Sequence, residues 1–158
     1  MKRYAGLSFE QVVRKYADNV TKVCWVHIGN NADADDCFQN TFIKLYTKAP
    51  EFNDEDHLKA WLLRVAINEC KNCARDNRRR YSAEPPAPSA PSCGDMSDIS
   101  WALTLVEFKY RQVLYLYYIE RYKVDEIAAI LGKNKNTVKT MLSRGRDRLK
   151  KLYGGDER

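Results

Sequence analysis

Apolar residues recur at helical spacing along most of the chain, and no segment alternates with the two-residue period of a β-strand. A first apolar stripe fills residues 9–28, preceded by a capping box between Ser8 and Gln11 and followed by Gly29. A second helix is predicted over residues 33–48, with aspartates at its start and lysines at its end. Its inward-facing residues are predicted to be Cys37, Phe38, Thr41, Phe42, Leu45 and Tyr46. Glycine is scarce, with 7 in 158 residues. The predicted fold class is therefore all-α.

A long third helix is predicted after a cap at Asn53 or Asp54. Its first part carries an apolar stripe made of Leu58, Trp61, Leu62, Val65 and Ala66. Beyond Asn68 the helix becomes polar and basic, which suits either a solubilising helix end or a nucleic-acid contact. Asn68 and Asn72 share one face at a spacing of four residues. Since amides can read base edges, the pattern favours the nucleic-acid contact.

Residues 82–98 differ in composition from the rest of the chain. They hold four of the 5 prolines and almost no large apolar side chain. Proline fixes φ and removes a backbone donor, so this Pro-rich stretch is predicted to be a flexible, extended linker. It separates a first small helical domain, residues 1–81, from a second one, residues 99–158.

Residues 124–152 carry the pattern of a helix-turn-helix. The short first helix has an apolar stripe at Ile127, Ala128 and Leu131. Gly132 suits a left-handed turn after it, and Asn134 can cap the second helix. Lys133 stands where this pattern normally buries an apolar side chain.

The second helix of the motif is basic on its outer face. From residue 132 to residue 153 there are eight basic residues and one acidic residue, Asp147. One interpretation is a solvated basic face, and the other is a helix that enters the major groove with cations for the phosphates. The small alanine, the glycine turn and the one-sided charge together favour DNA binding. Residues 99–123 are predicted to form two further helices that bury the apolar side of the motif.

The overall composition narrows the class of protein. The formal net charge of +6 and the pI near 9.0 indicate a polyanionic partner. No signal peptide and no membrane-spanning apolar run is evident, so a cytoplasmic protein with no membrane partner is expected. The sequence has 2 histidines, no glycine-rich phosphate loop and no Ser/His/Asp arrangement. We therefore predict no catalytic residue and do not expect an enzyme.

The five cysteines, an odd number, suit reduced thiols. Cys70 and Cys73 lie three residues apart on one predicted helix and could begin a zinc or redox site, but no third and fourth ligand are evident. Buried or idle thiols are the favoured interpretation. No metal and no cofactor is predicted.

The order of these parts resembles the extracytoplasmic-function (ECF) sigma factors of bacterial RNA polymerase. Residues 33–46, DADDCFQNTFIKLY, are similar to the family's polymerase-binding helix, and residues 58–68, LKAWLLRVAIN, to the helix that reads the minus-ten element. Residues 111–128, RQVLYLYYIERYKVDEIA, and the stretch to Leu152 are similar to the sigma-four domain that reads the minus-thirty-five element. The resemblance implies a sigma-two-like helical bundle and a sigma-four-like four-helix domain.

The resemblance also implies a function and a set of partners. The protein would bind core RNA polymerase, direct promoter-specific transcription initiation and help to melt the promoter, without being a catalyst. Its partners would be core enzyme and promoter DNA, both double- and single-stranded, with an anti-sigma factor as a further candidate. The alternative is a two-module helix-turn-helix transcription regulator that does not dock on polymerase.

Three groups of site residues follow from the resemblance. The core polymerase-binding face would consist of Asp36, Gln39, Asn40, Ile43 and Lys44. The minus-ten surface would consist of Phe52, Asn68, Lys71, Asn72, Arg75, Arg78 and Arg79, with Phe52 and Asn68 holding a flipped base. The minus-thirty-five surface would consist of Lys135, Asn136, Thr137, Lys139, Thr140, Ser143, Arg144 and Arg146.

Several positions depart from the family's usual pattern. Asn40 replaces an acidic residue, and Glu107 stands where a proline often separates the first two helices of sigma-four. Arg121 stands where glycine is usual, and Lys123 where a serine or threonine cap is usual.

Overall fold

A computed structural model of the chain describes residues 2–80 and 97–153, without the side chains of residues 78–80 and 153. The chain divides into two compact units, Met1–Cys93 and Gly94–Arg158. Residues 82–96 of the predicted linker lie outside the described residues. The last two residues of that prediction form the start of a helix instead. Ser97 Oγ accepts a hydrogen bond from the Ser100 N–H at 3.3 Å, and Asp98 is the first helical residue.

The first unit contains a bundle of three helices, α1 (Phe9–Ile28), α2 (Asn31–Lys48) and α3 (Glu55–Arg80). Each of the three packs against the other two. The core between them includes side chains that are at most 1% exposed, namely Val12, Val20, Val23, Leu45, Leu58, Leu62, Leu63 and Ile67. Burial of one such side chain contributes about 1.5–3 kcal/mol, so this shared core holds the three helices together.

The ends of α1 follow local capping signals. Ser8 Oγ accepts from the Gln11 N–H at 3.2 Å, and the Gln11 side chain accepts from the Ser8 N–H at 2.8 Å. The predicted capping box is therefore confirmed. Gly29 ends the helix with φ 88°, a left-handed conformation that glycine adopts without steric cost.

Side-chain caps also set the starts of α2 and α3. Asn30 Oδ1 accepts from the Asp33 N–H at 2.9 Å, so α2 begins at Asn31, two residues before the predicted start. Asp54 Oδ1 accepts from the His57 N–H at 2.9 Å. Of the two residues predicted to cap α3, Asp54 is therefore the one that does so.

One prediction about the core of the first unit is wrong, and another is too narrow. Tyr46, expected to face inward on α2, is 65% exposed, and its ring meets the Phe9 ring edge-on at 5.2 Å. On α3 the buried arc is wider than the predicted stripe and includes Leu63 and Ile67. The reason is that α3 packs against both α1 and α2, so it needs two apolar faces rather than one.

The second unit contains α4 (Asp98–Leu103), α5 (Phe108–Leu114), α6 (Val124–Leu131) and α7 (Lys135–Tyr153). Residues Tyr115–Ile119 continue α5 as a single π-helical turn. The Arg111 guanidinium donates to the backbone oxygens of Val106 at 2.7 Å and Thr104 at 3.3 Å, which closes the turn between α4 and α5. The predicted sigma-four-like arrangement of helices is confirmed.

Helices α6 and α7 form the helix-turn-helix. Gly132 is left-handed at φ 66°, and the Lys133 N–H donates to the Ala128 oxygen at 2.9 Å. Asn134 Oδ1 accepts from the Thr137 N–H at 2.8 Å, which confirms the predicted cap of α7. On α6 the fully buried residues are Ile127 and Ile130, whereas Ala128 and Leu131 of the predicted stripe are half-buried. Lys133 is also half-buried.

Helix α7 packs closely against α5. Val138, Leu142 and Gly145 face inward, and Leu114 on α5 is fully buried. A Cβ atom at Gly145 would stand only 2.9 Å from Leu114 Cδ1, closer than carbon atoms normally approach. Glycine at this position therefore lets the two helices come together.

At the positions of this unit that depart from the family pattern, nearby contacts or the backbone conformation accommodate the unusual residue. Glu107 precedes α5, and its carboxylate accepts from Arg148 Nε at 2.9 Å. Arg121 adopts φ 64°, a left-handed conformation that glycine takes at less cost. A lysine side chain has no acceptor with which to cap a helix. At the start of α6 the helix residue Glu126 supplies the acceptor instead, since its Oε1 accepts from the backbone N–H of Lys123 at 2.8 Å.

Candidate functional surfaces

One polar face of α2 is exposed and carries a large apolar side chain. Asp36, Gln39 and Asn40 are exposed, and Ile43 is 56% exposed. Their spacing of three, four and seven residues places them on one side of the helix. Ala34, Cys37, Thr41 and Leu45 on the opposite side are buried. Ile43 also lines an apolar groove with Phe38, Phe42 and Tyr46, and a contiguous apolar patch of this kind is typical of a surface that binds another protein.

Lys44 lies beside this face, but unlike the exposed residues of the face it contacts α3. Its ammonium forms an ion pair with the Glu69 carboxylate on α3. The Glu69 side chain is only 11% exposed, so the ion pair is shielded and fixes α2 against α3. Lys44 thus has a structural contact in addition to its predicted place on the polymerase-binding face.

A polar groove of about 300 Å³ runs between α2 and α3. Its lining consists of Asp33, Asp36, Cys37, Asn40, Glu69, Asn72, Cys73, Asp76 and Asn77. Asn72, which the resemblance assigns to the minus-ten surface, therefore lies beside Asp36 and Asn40 of α2. The structure brings Asn72 together with residues of the candidate polymerase-binding face.

The outer face of α3 carries amide and basic side chains. Asn68, Lys71 and Arg75 are exposed. Arg64, which the sequence interpretation missed, is exposed as well and precedes Asn68 by four residues. That spacing is the signal that would have found it. The side chains of residues 78 and 79 lie outside the described residues.

Phe52 sits at one end of this face as part of an aromatic cluster. Its half-buried ring meets the His57 ring at 5.1 Å and the Trp61 ring at 5.7 Å between centroids, both edge-on. Trp61 and Asn68 are seven residues apart, so they share a face about 10 Å apart along the helix. The aromatic cluster and the Asn68 amide therefore lie on one side of α3, as a base pocket would require.

The exposed face of α7 presents polar and basic side chains. The exposed members of the predicted surface are Lys135, Asn136, Thr137, Lys139, Thr140, Ser143 and Arg144. Lys135 forms an ion pair with Asp125 on α6 at 2.9 Å. Within the described part of the chain, Lys139 and Arg144 form no ion pair, so their charges are directed to solvent.

Arg146 is held on the flank of α7 by two tyrosines. Its Nε donates to the Tyr118 hydroxyl at 2.7 Å, and its guanidinium lies 5.3 Å from the Tyr117 ring centroid. The hydrogen bond to Tyr118 raises the pKa of Arg146, so it keeps its charge. The π-helical turn that follows α5 contains both tyrosines. The two residues of this hydrogen bond are 28 positions apart, so no short-range sequence pattern predicts it.

Two family profiles match the chain in the order of its two units. Sigma-70 region 2 matches residues 12–80, and Sigma-70 region 4 matches residues 102–149. The first match spans the three-helix bundle and the second spans the helix-turn-helix with the helices that pack on it. The chain belongs to the ECF sigma factors.

Several curated relatives are ECF sigma factors as well. The chain is 27% identical to the ECF RNA polymerase sigma factor SigW of Bacillus subtilis, over 91% of this chain and 88% of that one. It is 26% identical to SigM of Mycobacterium tuberculosis, over 96% of this chain and 79% of that one. The sigma factor RpoE of Bartonella quintana, solved in complex with the anti-sigma factor NepR, has a similar fold, with a TM-score of 0.73. That structure covers 94% of this chain and 98% of its own at 24% identity.

As an ECF sigma factor, the protein directs RNA polymerase to specific promoters for transcription initiation. These matches do not favour the alternative of a regulator that never docks on polymerase. Sigma factors are not enzymes. None of the helices in residues 2–80 and 97–153 is long and apolar enough to cross a membrane.

Proposed function

We propose that this sigma factor divides its contacts between three helix faces. The α2 face defined by Asp36, Gln39, Asn40 and Ile43 binds core polymerase in the cytoplasm. The outer face of α3, together with Phe52, binds the melted minus-ten strand, and the exposed face of α7 binds the minus-thirty-five duplex. In this assignment residues 1–81 hold the first two functions and residues 99–158 the third.

The observation that carries the proposal is that the two faces are exposed on different helices of one bundle. The residues of the α2 face are exposed on a helix whose other side is buried in the core. The residues of the α3 face are exposed on another helix of the same bundle. Polymerase and DNA would therefore contact different helices of the bundle, although Asp36 and Asn40 share the groove between α2 and α3 with Asn72.

The chemistry of each face supports its assigned partner. Basic and amide side chains beside an aromatic cluster suit an unstacked strand, because bases stack on aromatic rings and phosphates attract cations. The exposed face of α7 combines hydroxyl, amide and basic groups on the second helix of a helix-turn-helix, which enters the major groove in that motif. An anti-sigma factor is a further proposed partner, as it is for the relative from Bartonella quintana.

Charge reversal on α2 tests the polymerase assignment. Asp36→Arg places a cation at the exposed end of the face, and we expect it to abolish co-purification with core polymerase while the circular dichroism spectrum stays helical. Asp18→Arg is the matched control, since it makes the same change at an exposed position of α1. Retained binding by Asp36→Arg, or equal loss in both variants, would contradict the assignment of this face.

A further inference from the structure

A cleft of about 550 Å³ opens where the chain enters the helix-turn-helix, outside the three faces assigned above. Its lining consists of Tyr117, Tyr118, Arg121, Tyr122, Lys123 and Val124. The two cations of this set, Arg121 and Lys123, are exposed. Neither forms an ion pair within residues 2–80 and 97–153, so the cleft presents two positive charges to solvent.

Arg121 adopts a strained backbone conformation in this cleft. The Tyr122 N–H donates to the Leu116 oxygen at 2.9 Å, a hydrogen bond that ends a helix when the residue before the donor is left-handed. That residue is Arg121, with φ 64°. Glycine, the family's usual residue here, takes this conformation without strain, whereas a residue with a Cβ atom does not. A strained side chain in place of an unstrained one is typical of a functional site.

Lys123 is a second cation at a position where the family usually has a neutral residue. A serine or threonine there would cap α6 with its hydroxyl, and a lysine side chain has no acceptor for that hydrogen bond. The Glu126 carboxylate caps the Lys123 N–H instead, at 2.8 Å. Two neutral positions of the family pattern are thus occupied by cations in one short segment of this chain.

This segment lies next to the beginning of α7. The Lys135 ammonium, at the first residue of α7, pairs with the Asp125 carboxylate in the first turn of α6 at 2.9 Å. The beginnings of the two helices are therefore adjacent, and Lys123 directly precedes α6. Tyr118, which also lines the cleft, accepts a hydrogen bond from Arg146 of α7 at 2.7 Å. The cleft therefore borders α7 at two places.

The position of the cleft determines what it meets when α7 binds duplex DNA. In a helix-turn-helix the N-terminal residues of the second helix contact base edges, and the first helix crosses the sugar-phosphate backbone. Residues just before the first helix therefore come close to phosphates. We propose that Arg121 and Lys123 form a phosphate site that binds the backbone of the minus-thirty-five duplex beside the face of α7. This site presupposes the proposed function of α7.

The phosphate site differs from the face of α7 in what it recognises. Phosphates are the same at every base pair, so contacts with them position the protein but carry no sequence information. Each neutralised phosphate releases counterions and adds about 0.9 to the steepness of log K against log salt concentration. Two such contacts should therefore add about 1.8 to this slope, and they should strengthen binding to every duplex by the same factor.

The experiment measures binding of the full chain to two fluorescent duplexes by anisotropy over a series of salt concentrations. One duplex is selected from random sequences for binding to the parent protein, and the other is its scrambled form. The double variant Arg121→Gln with Lys123→Ser should lower the salt slope by about 1.8 and weaken both duplexes by the same factor. Arg121→Lys keeps the charge and should keep the slope of the parent.

Lys109→Ser is the matched control for the loss of a surface cation. Lys109 is exposed near the start of α5, eight residues and about 12 Å of helix before Tyr117 of the cleft. Its ammonium lies over the Tyr110 ring, 5.1 Å from the centroid. We expect this variant to keep the slope of the parent. An unchanged slope in the double variant would overturn the proposal, and so would an equal fall in Lys109→Ser.

Arg121→Gly separates DNA binding from folding. This variant removes the strain together with the charge, so the melting temperature should stay at or above that of the parent while duplex affinity falls as it does for Arg121→Gln. A residue that served only the fold would give the opposite pattern, with a lower melting temperature and unchanged affinity at temperatures where the protein is folded.

Arg144→Ala keeps failure of this site distinct from failure of the proposed function. If Arg144→Ala loses the preference for the selected duplex while the double variant binds as the parent does, α7 reads the duplex and the phosphate site does not exist. If Arg144→Ala keeps that preference while the salt slope falls in the double variant, the assignment of Arg144 fails and the phosphate site stands.

Discussion

The outer face of α3 and the exposed face of α7 carry the same kinds of side chain, amides and cations, but hold them differently. On α3, Asn68, Lys71 and Arg75 are exposed beside an aromatic cluster. On α7, cations at the edges of the face are tied to other parts of the same unit, Lys135 to Asp125 and Arg146 to Tyr118. Arg148 is tied to Glu107 in the same way.

The difference fits the two forms of DNA. A duplex presents phosphates at regular positions, so a helix whose flanking side chains are already fixed loses less conformational entropy on binding. A melted strand has no fixed shape, and side chains that stay adaptable beside an aromatic surface can follow it. Under the proposed assignment, faces of similar composition would bind single-stranded and duplex DNA through different degrees of preorganisation.

The largest effect is expected from Asn68→Ala. Extruding a base costs a few kcal/mol, and loss of the amide that holds it should raise the barrier to promoter opening by about 2–3 kcal/mol. Permanganate footprinting of holoenzyme on a duplex promoter measures the melted fraction. Asn72→Ala makes the same change one turn along α3, but in the groove facing α2. Equal loss in both variants would break the distinction between the outer face and the groove.

Arg144→Ala should weaken binding of an isolated minus-thirty-five duplex by about 1–3 kcal/mol. The Arg144 side chain is exposed on α7, so its removal takes away the proposed DNA contact without removing a contact within the fold. Fluorescence anisotropy at fixed salt measures the affinity. Arg148→Ala is the control, because that guanidinium is engaged with Glu107. The comparison would fail if Arg144→Ala left duplex affinity unchanged.

A smaller effect, about 0.5–1.5 kcal/mol, is expected from Tyr118→Phe, which removes one hydrogen bond to Arg146. Duplex affinity should fall by that amount because Arg146 becomes mobile, while binding of single-stranded minus-ten DNA is unchanged. Tyr110→Phe is the control, since Tyr110 meets Arg148 through its ring, at 5.4 Å. If both variants bind duplex as the parent does, fixed flanking cations are not what suits α7 to duplex DNA.

Features set by neighbouring residues were predictable from the sequence. The capping box at Ser8, the left-handed Gly132 and the cap at Asn134 each depend on residues within four positions of one another. The helix-turn-helix and the exposed polar face of α2 follow from the same short-range periodicity. For this reason the elements and most of their ends agree with the structure.

Features set by contacts between distant residues were not predictable in the same way. Tyr46 looked apolar enough for the core, and only the packing of three helices decides that it lies outside. Cys37 on α2 and Cys73 on α3 line the same groove, and the hydrogen bond from Arg146 to Tyr118 joins residues 28 positions apart. No pattern within one helix carries these pairings, which arise only when the helices meet.

Gly145 has a consequence for how this sequence can diverge. The space that the Cβ atom of a larger residue would need at this position is already filled by the Leu114 side chain of α5. Alanine would gain about 1 kcal/mol in helix propensity, yet overpacking a core costs about 1–3 kcal/mol, so the single exchange is a net loss or neutral at best. A larger residue at position 145 is therefore expected to be tolerated better after residue 114 has become smaller. The two positions therefore constrain each other's history, and the order of their substitutions matters.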